Sequence, residues 1–306
     1  YYTQQGQAEL LERSVLTNNG KRMTGDSLFY DRNRGIGEAF QNVEFVDTIS
    51  KNMLTGDYCF YNQLTGYAFA TDKAVATDFS QGDSLFIHAD TLQLYTFHVN
   101  TDSVYREARA YHKVRFYRTD IQGVCDSLVF SSKDSCLTLY QDPILWNGKQ
   151  QLLGEEIMVY MNDSTIDWAH IQNQALSVEQ LDSLNYNQVS GKDMKAYFEG
   201  GEMKQVDVDG SVRLVYFPME KDSTLLGMNC SETSKLSMFL ENRKLKKMAM
   251  SPKSNGTLYP MTQIPPAKMK LDNFAWFDYV RPLNKADIFN WRGKGAGQEL
   301  KKSTRG

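Results

Sequence analysis

Gly25-Asp26-Ser27-Leu28-Phe29-Tyr30 returns as Gly56-Asp57-Tyr58-Cys59-Phe60-Tyr61 and again as Gly82-Asp83-Ser84-Leu85-Phe86-Ile87. In each copy two apolar residues two positions apart share one face, which is the period of a strand with one side buried. Leu28 and Tyr30 share such a face, as do Cys59 and Tyr61, and Leu85 and Ile87. Looser copies begin at Gly123, Gly154, Gly191 and Gly227. Their intervals run from 26 residues (Gly56 to Gly82) to 41 (Gly82 to Gly123), so the repeat is irregular in length. A glycine at the head of each strand answers one of two needs: a corner with positive φ, or backbone too close for a Cβ.

A second element follows each copy. After Tyr30 come the polar turn Asp31-Arg32-Asn33-Arg34-Gly35, then Ala39 and Asn42-Val43-Glu44-Phe45-Val46-Asp47. After Tyr61, Asn62-Gln63-Leu64-Thr65-Gly66 leads to Ala68, Ala70 and Ala74-Val75-Ala76-Thr77-Asp78. Ala108 and Ala110 lead into Val114-Arg115-Phe116-Tyr117, and Gly210 into Val212-Arg213-Leu214-Val215-Tyr216. Asp, Asn and Gly turns between short alternating runs mark hairpins or sheet corners. Stacking such units joins their apolar faces into a ladder.

The composition agrees with strands. Aromatic residues make up 12% of the 306-residue chain against 7 prolines, and aromatic side chains pack well on a pleated surface. A net charge of -3 provides no basic field for nucleic acid. No apolar run reaches the 18 residues of a membrane-spanning helix. The sequence opens at Tyr1, as a processed or trimmed form does, so a missing leader carries no information about compartment. Cys59, Cys125, Cys136 and Cys230 lack metal-binding spacing. A hairpin turning at Ser131-Ser132-Lys133-Asp134 sets Cys125 opposite Tyr140, which favours buried thiols over a Cys125–Cys136 disulfide.

Two stretches break the pattern. Ser177-Val178-Glu179-Gln180-Leu181-Asp182-Ser183-Leu184 reads as a brief helical turn with a capping-box start, inserted near 173–187. From Pro265-Pro266 onward an aromatic tail replaces the β pattern, with Phe274, Trp276, Phe277, Tyr279, Phe289 and Trp291 expected to dock on the end of the stack. Its basic last dozen residues are expected to be mobile.

Little in the chain reads as reaction chemistry. Asp26, Asp57 and Asp83 offer one carboxylate per unit, too few for a calcium loop, and read as turn residues bonding local amides. His88, His98 and His112 lie within 25 positions, yet no metal-ligand spacing links them or His170. No nucleophile elbow, P-loop or dinucleotide fingerprint occurs. Arg243-Lys244-Leu245-Lys246-Lys247 reads as a solvated face, with contact to a lipid phosphate as the functional alternative. The expectation is a non-enzymatic protein without metal or cofactor.

Met23-Thr24-Gly25-Asp26-Ser27-Leu28-Phe29-Tyr30, with Ala39, Asn42-Val43-Glu44-Phe45 and then Leu54-Thr55-Gly56-Asp57, resembles the OstA-like repeat. That repeat occurs in the LptA-type periplasmic bridge of lipopolysaccharide transport and in the periplasmic domain of its outer-membrane partner. The resemblance is strongest over about residues 20–90 and extends to about 260. It implies an all-β fold, an elongated β-jellyroll formed as a V-shaped stack of antiparallel strands over 1–264, followed by a tail over 265–306. It also implies a carrier of lipopolysaccharide in the Gram-negative periplasm, either free there or associated with the outer membrane. Acyl chains of lipid A would lie against Leu28, Tyr30, Val43, Phe45, Tyr61, Val75, Leu85, Ile87, Val114, Phe116, Leu128, Phe130, Ile157, Val159 and Met194. Partners would be other jellyrolls joined edge to edge, including head-to-tail copies of itself. The alternative is an adaptor whose stack is filled by its own side chains and whose end strands alone bind. A polysaccharide-processing β-helix ranks third, because the intervals vary and the aspartates fall at turns.

Overall fold

A computed structural model describes all residues except 1, 5, 19, 50, 81, 163, 164, 221, 223, 243 and 295–306. The fold is all-β, antiparallel and of the jellyroll type. Two compact units divide the chain: Tyr1–Leu137 with Pro282–Trp291, and Thr138–Arg281 with Arg292–Gly306. The boundary falls inside one strand of what the sequence presents as a single β domain.

Unit 1 contains β1 (Tyr2–Gln4), β2 (Gln7–Asn18), β3 (Lys21–Asp31), β4 (Ile36–Asp47), β5 (Asn52–Asn62) and β6 (Tyr67–Thr71). It continues with β7 (Val75–Asp78), β8 (Leu85–His88), β9 (Thr91–Phe97), β10 (Tyr105–Tyr117) and β11 (Gln122–Ser131). β12 (Cys136–Tyr140) carries the chain across the boundary. Unit 2 contains β13 (Ile144–Asn147), β14 (Gln150–Leu153), β15 (Glu156–Asn162), β16 (Thr165–Gln172) and β17 (Ala175–Gln180). β18 (Tyr186–Gly191), β19 (Asp193–Glu199), β20 (Glu202–Tyr216), β21 (Gly227–Glu241) and β22 (Lys244–Pro260) complete it.

Each long strand bends once near its middle, and the bends line up as a row of corners. On one strand the corner is a pair of residues in the left-handed region, such as Gln41 and Asn42 (φ 56° and 50°) or His112 and Lys113 (φ 64° and 54°). That pair faces a single residue next door: Gln41-Asn42 opposes Asp57, and His112-Lys113 opposes Asp126. This is a β-bulge, which bends the strand and sharpens its twist. The conformation costs on the order of 1 kcal/mol for a residue with a Cβ, and short polar residues tolerate it best. Asp72-Lys73, Gln141-Asp142 and Asn173-Gln174 repeat the device.

Opposite Gln41-Asn42 the facing strand supplies the signature glycine, with no positive φ, whereas opposite His112-Lys113 its place is taken by Cys125. The glycine's need is space: a Cβ on Gly25 would lie 3.1 Å from Leu28 Cδ2, and one on Gly154 2.5 Å from Ile171 Cγ2. Of the two reasons for glycine, close approach is the one that applies.

Three expectations change. Gly82-Asp83 is not a third corner, because β8 and β9 bend at Ala89-Asp90, and Asp83 instead accepts from the Thr119 amide and hydroxyl. Residues 177–184 form no helical turn. Ala175–Gln180 is a strand paired with both β14 and β18, and Asp182 closes the following turn on the Leu184 and Asn185 amides. Third, the tail lies on strand faces and not on the end of the stack. In unit 2, Gln188 donates to Met269 O and accepts from Leu271 N, while Gln151 does the same with Ala275 O and Phe277 N. Both glutamines are fully buried. In unit 1, His88 and Arg115 lie beneath Phe289, Ile288 and Trp291. The last dozen residues lie outside the described residues.

Candidate functional site

The corners divide each unit into two half-sheets whose inner faces meet along the corner row. The inside of the bend is marked by the side chains that reach over the glycines: Leu28 over Gly25, Ile171 over Gly154 and Val208 over Gly191. Strand register then fixes which residues share that face.

In unit 1 the row nearest the corner is Leu28, Ala39, Cys59, Ala70, Leu92, Ala110 and Leu128, each the direct partner of the next. One step out lie Tyr30, Gly37, Tyr61, Ala68, Leu94, Ala108 and Phe130. Large and small residues alternate from strand to strand for most of both rows. Ridges therefore recur at about 10 Å, twice the strand spacing, with floors of Gly or Ala between them. The Cys59 thiol within the inner row is pushed up to about 12 by burial, which keeps it neutral and apolar. In unit 2 the corresponding rows are Ile157, Ile171, Met194, Val208, Leu236 and Met250, then Val159, Ala169, Ala196, Val206, Met238 and Met248. These are more even in size.

Exposure rises steadily away from the corner. Leu28 is 2% exposed and Cys59 3%, Tyr30 is half-buried, and Tyr61 is 41% exposed. In unit 2, Ile157 is 0% exposed, Val159 8% and Met161 37%. Each inner face is therefore closed at its corner and accessible toward its hairpin turns.

The sequence-derived residues fall into three groups. Leu28, Val43, Val114, Phe116 and Leu128 in unit 1, with Ile157, Val159 and Met194 in unit 2, are buried on inner faces. Tyr30, Phe45, Leu85, Ile87, Phe130 and Tyr61 lie farther out on the inner face of unit 1. Val75 occupies the opposite face: it pairs with His88, while Ile87 pairs with Ala76. The left-handed Asp72-Lys73 pair accounts for that displacement, because it ends the regular alternation just before the strand. The sequence reading passed over the floor residues Gly37, Ala39, Ala68, Ala70, Ala108 and Ala110. Their signal was the recurrence of Ala at alternate positions of every second element.

Asp26 and Asp57 sit on corners, not in hairpin turns. Asp26 accepts from Asn42 Nδ2 at 2.7 Å and pairs with Arg13 at 3.2 Å, and Asp57 pairs with Lys73 at 3.0 Å. Their partners come from the neighbouring strands' corners, so they join corner to corner. Such exposed pairs are worth less than about 1 kcal/mol each. His88, His98 and His112 occupy a strand, a hairpin turn and a corner respectively. Among the described residues no three His, Cys, Asp or Glu side chains gather as a metal site requires. Among the described residues no helix is long and apolar enough to cross a membrane.

No family model and no curated protein matches the chain.

Proposed function

We propose that each inner face is a lipid trough, and that the protein is a non-enzymatic carrier of a multi-acyl lipid. The class that fits best is lipopolysaccharide passed through the Gram-negative periplasm toward the outer membrane, as the resemblance to OstA-like repeats implies. One observation carries this reading: the rise in exposure from Leu28 to Tyr61 and from Ile157 to Met161, along faces that remain apolar throughout. Acyl chains laid over the outer rows would remove that surface from water at about 25 cal/mol per Å².

Edge pairing with other jellyrolls, including further copies of this chain, is part of the same proposal. Among the described residues the 17-residue strand β22 pairs only with β21, and β1 covers only Gln7–Glu9 of β2. Leu11, Val15 and Leu16 stand exposed on β2. Long unpaired edges are a hazard unless a partner strand covers them.

Native mass spectrometry of the protein purified without denaturant tests the reading. A bound lipopolysaccharide mass is expected, and it should weaken in Phe45→Glu. A lipid-free protein that also takes up no added lipopolysaccharide would favour the adaptor alternative, in which only the edges bind.

A further inference from the structure

We propose that the C-terminal strap over unit 1, Pro282–Trp291, is a latch that opens when His88 takes up a proton beside Arg115. The two residues are direct cross-strand partners on the outer face. Both are buried, and the strap covers them: Phe289 lies 4.7 Å from the His88 ring and Trp291 5.4 Å from the Arg115 guanidinium. Arg115 donates through Nε to Ile288 O and through a terminal nitrogen to Lys113 O at 2.7 Å. Its guanidinium is thus anchored by carbonyls alone. Among the described residues no carboxylate lies within ion-pair distance of it.

The surroundings of His88 leave one place for a second proton. Nδ1 is 2.7 Å from Ala74 O on the β7 side and donates to it, so Nε2 is the free nitrogen of the neutral ring. From β10 it faces Arg115, with Lys113 beyond. On its own chain it has Asp90, which is 3.9 Å from Lys113 and half exposed. From the strap it meets the uncharged Phe289 ring. The strap's buried Asp287 is engaged by the Leu283 amide and by Asn290 Nδ2. Burial and then the Arg115 charge hold His88 below the usual histidine range, against the pull of Ala74 O and Asp90. A protonated ring would gain a cation–π contact with Phe289, but only by leaving two adjacent cations out of water. Releasing the strap hydrates both.

The matching segment in unit 2 has no such trigger. Met269–Phe277 is gripped by Gln188 and Gln151, neutral amides at any ordinary pH. That gives an internal control within the same chain.

Hydrogen exchange of the full chain, corrected for intrinsic rates and followed from pH 7.5 to 5, tests the latch. Protection over 283–291 should fall below about pH 6.5, by up to tenfold per pH unit, while 269–277 holds. His88→Gln, which cannot charge, should abolish the fall. Asp90→Asn, an exposed corner change, should leave the onset in place and deepen the fall toward pH 5, because it removes a carboxylate that favours the proton in the closed state. Equal losses in both segments, a fall that survives in His88→Gln, or a shallower fall in Asp90→Asn would overturn the proposal.

Discussion

In unit 2 the C-terminal segment is held by two buried glutamines, each closing a pair of hydrogen bonds on its backbone, whereas in unit 1 the grip is a buried arginine beside a buried histidine. The segment runs over the same kind of surface in both, the outer face of a half-sheet whose inner face is the proposed trough. A neutral amide satisfies one donor and one acceptor without a charge to desolvate. A cation in the same position must lose water, and Arg115 is lowered to about 10 by burial. The contrast separates a permanent brace from one that depends on protonation.

Several substitutions break or sharpen that contrast. The largest effect is expected from Gln151→Leu, which strands Ala275 O and Phe277 N without partners. Its cost should be about 2–6 kcal/mol, at 1–3 for each buried group left unsatisfied, and denaturant unfolding should find it independent of pH between 7 and 5. Leu28→Ala and Ile157→Ala should each cost about 2–5 kcal/mol, since both side chains are fully buried at their corners. Tyr61→Ala, at the accessible rim, should cost less than about 1 kcal/mol. Gly154→Ala should cost about 1–3 kcal/mol because its Cβ meets Ile171 at 2.5 Å; Gly25→Ala, at 3.1 Å from a mobile Leu28 methyl, should cost less.

The smallest effect is the pH dependence of unit 1. The folded pKa of His88 is lowered, so the unfolded chain binds more protons as pH drops below about 6.5. Stability is therefore full above that pH and declines as pH falls toward the folded value, by no more than about 1.4 kcal/mol per unit. Thermal melts of wild type and His88→Gln at pH 7.5 and 5.5 measure the difference; parallel melts would remove His88 from the account.

Much of the architecture was legible because alternation is a local property: Leu28 and Tyr30 declare a face whatever surrounds them. Register was not, because it depends on corners. The left-handed pairs are polar dipeptides such as Gln41-Asn42 and Asp72-Lys73, which look like ordinary turn chemistry, and each displaces the alternation that follows. Val75 was assigned to the wrong face for that reason. Gly82-Asp83 copies the signature without its corner, while the corner itself carries Ala89-Asp90, since alanine is small enough to sit where glycine usually does. β17 read as helical because the tail covers its outer face, so Leu176, Ser177 and Val178 are all buried and no alternation survives. That cover comes from residues about 90 positions away, beyond the reach of local pattern.

Photo-crosslinking at two equally exposed aromatic positions tests the trough most directly. Tyr61, 41% exposed, lies on the inner face of unit 1, and Phe40, 39% exposed, lies on the outer face beside Tyr58. With a photoreactive residue at either site and lipopolysaccharide as the probe, the account predicts an adduct at 61 and none at 40. Equal labelling of both positions, or labelling only at 40, would contradict it.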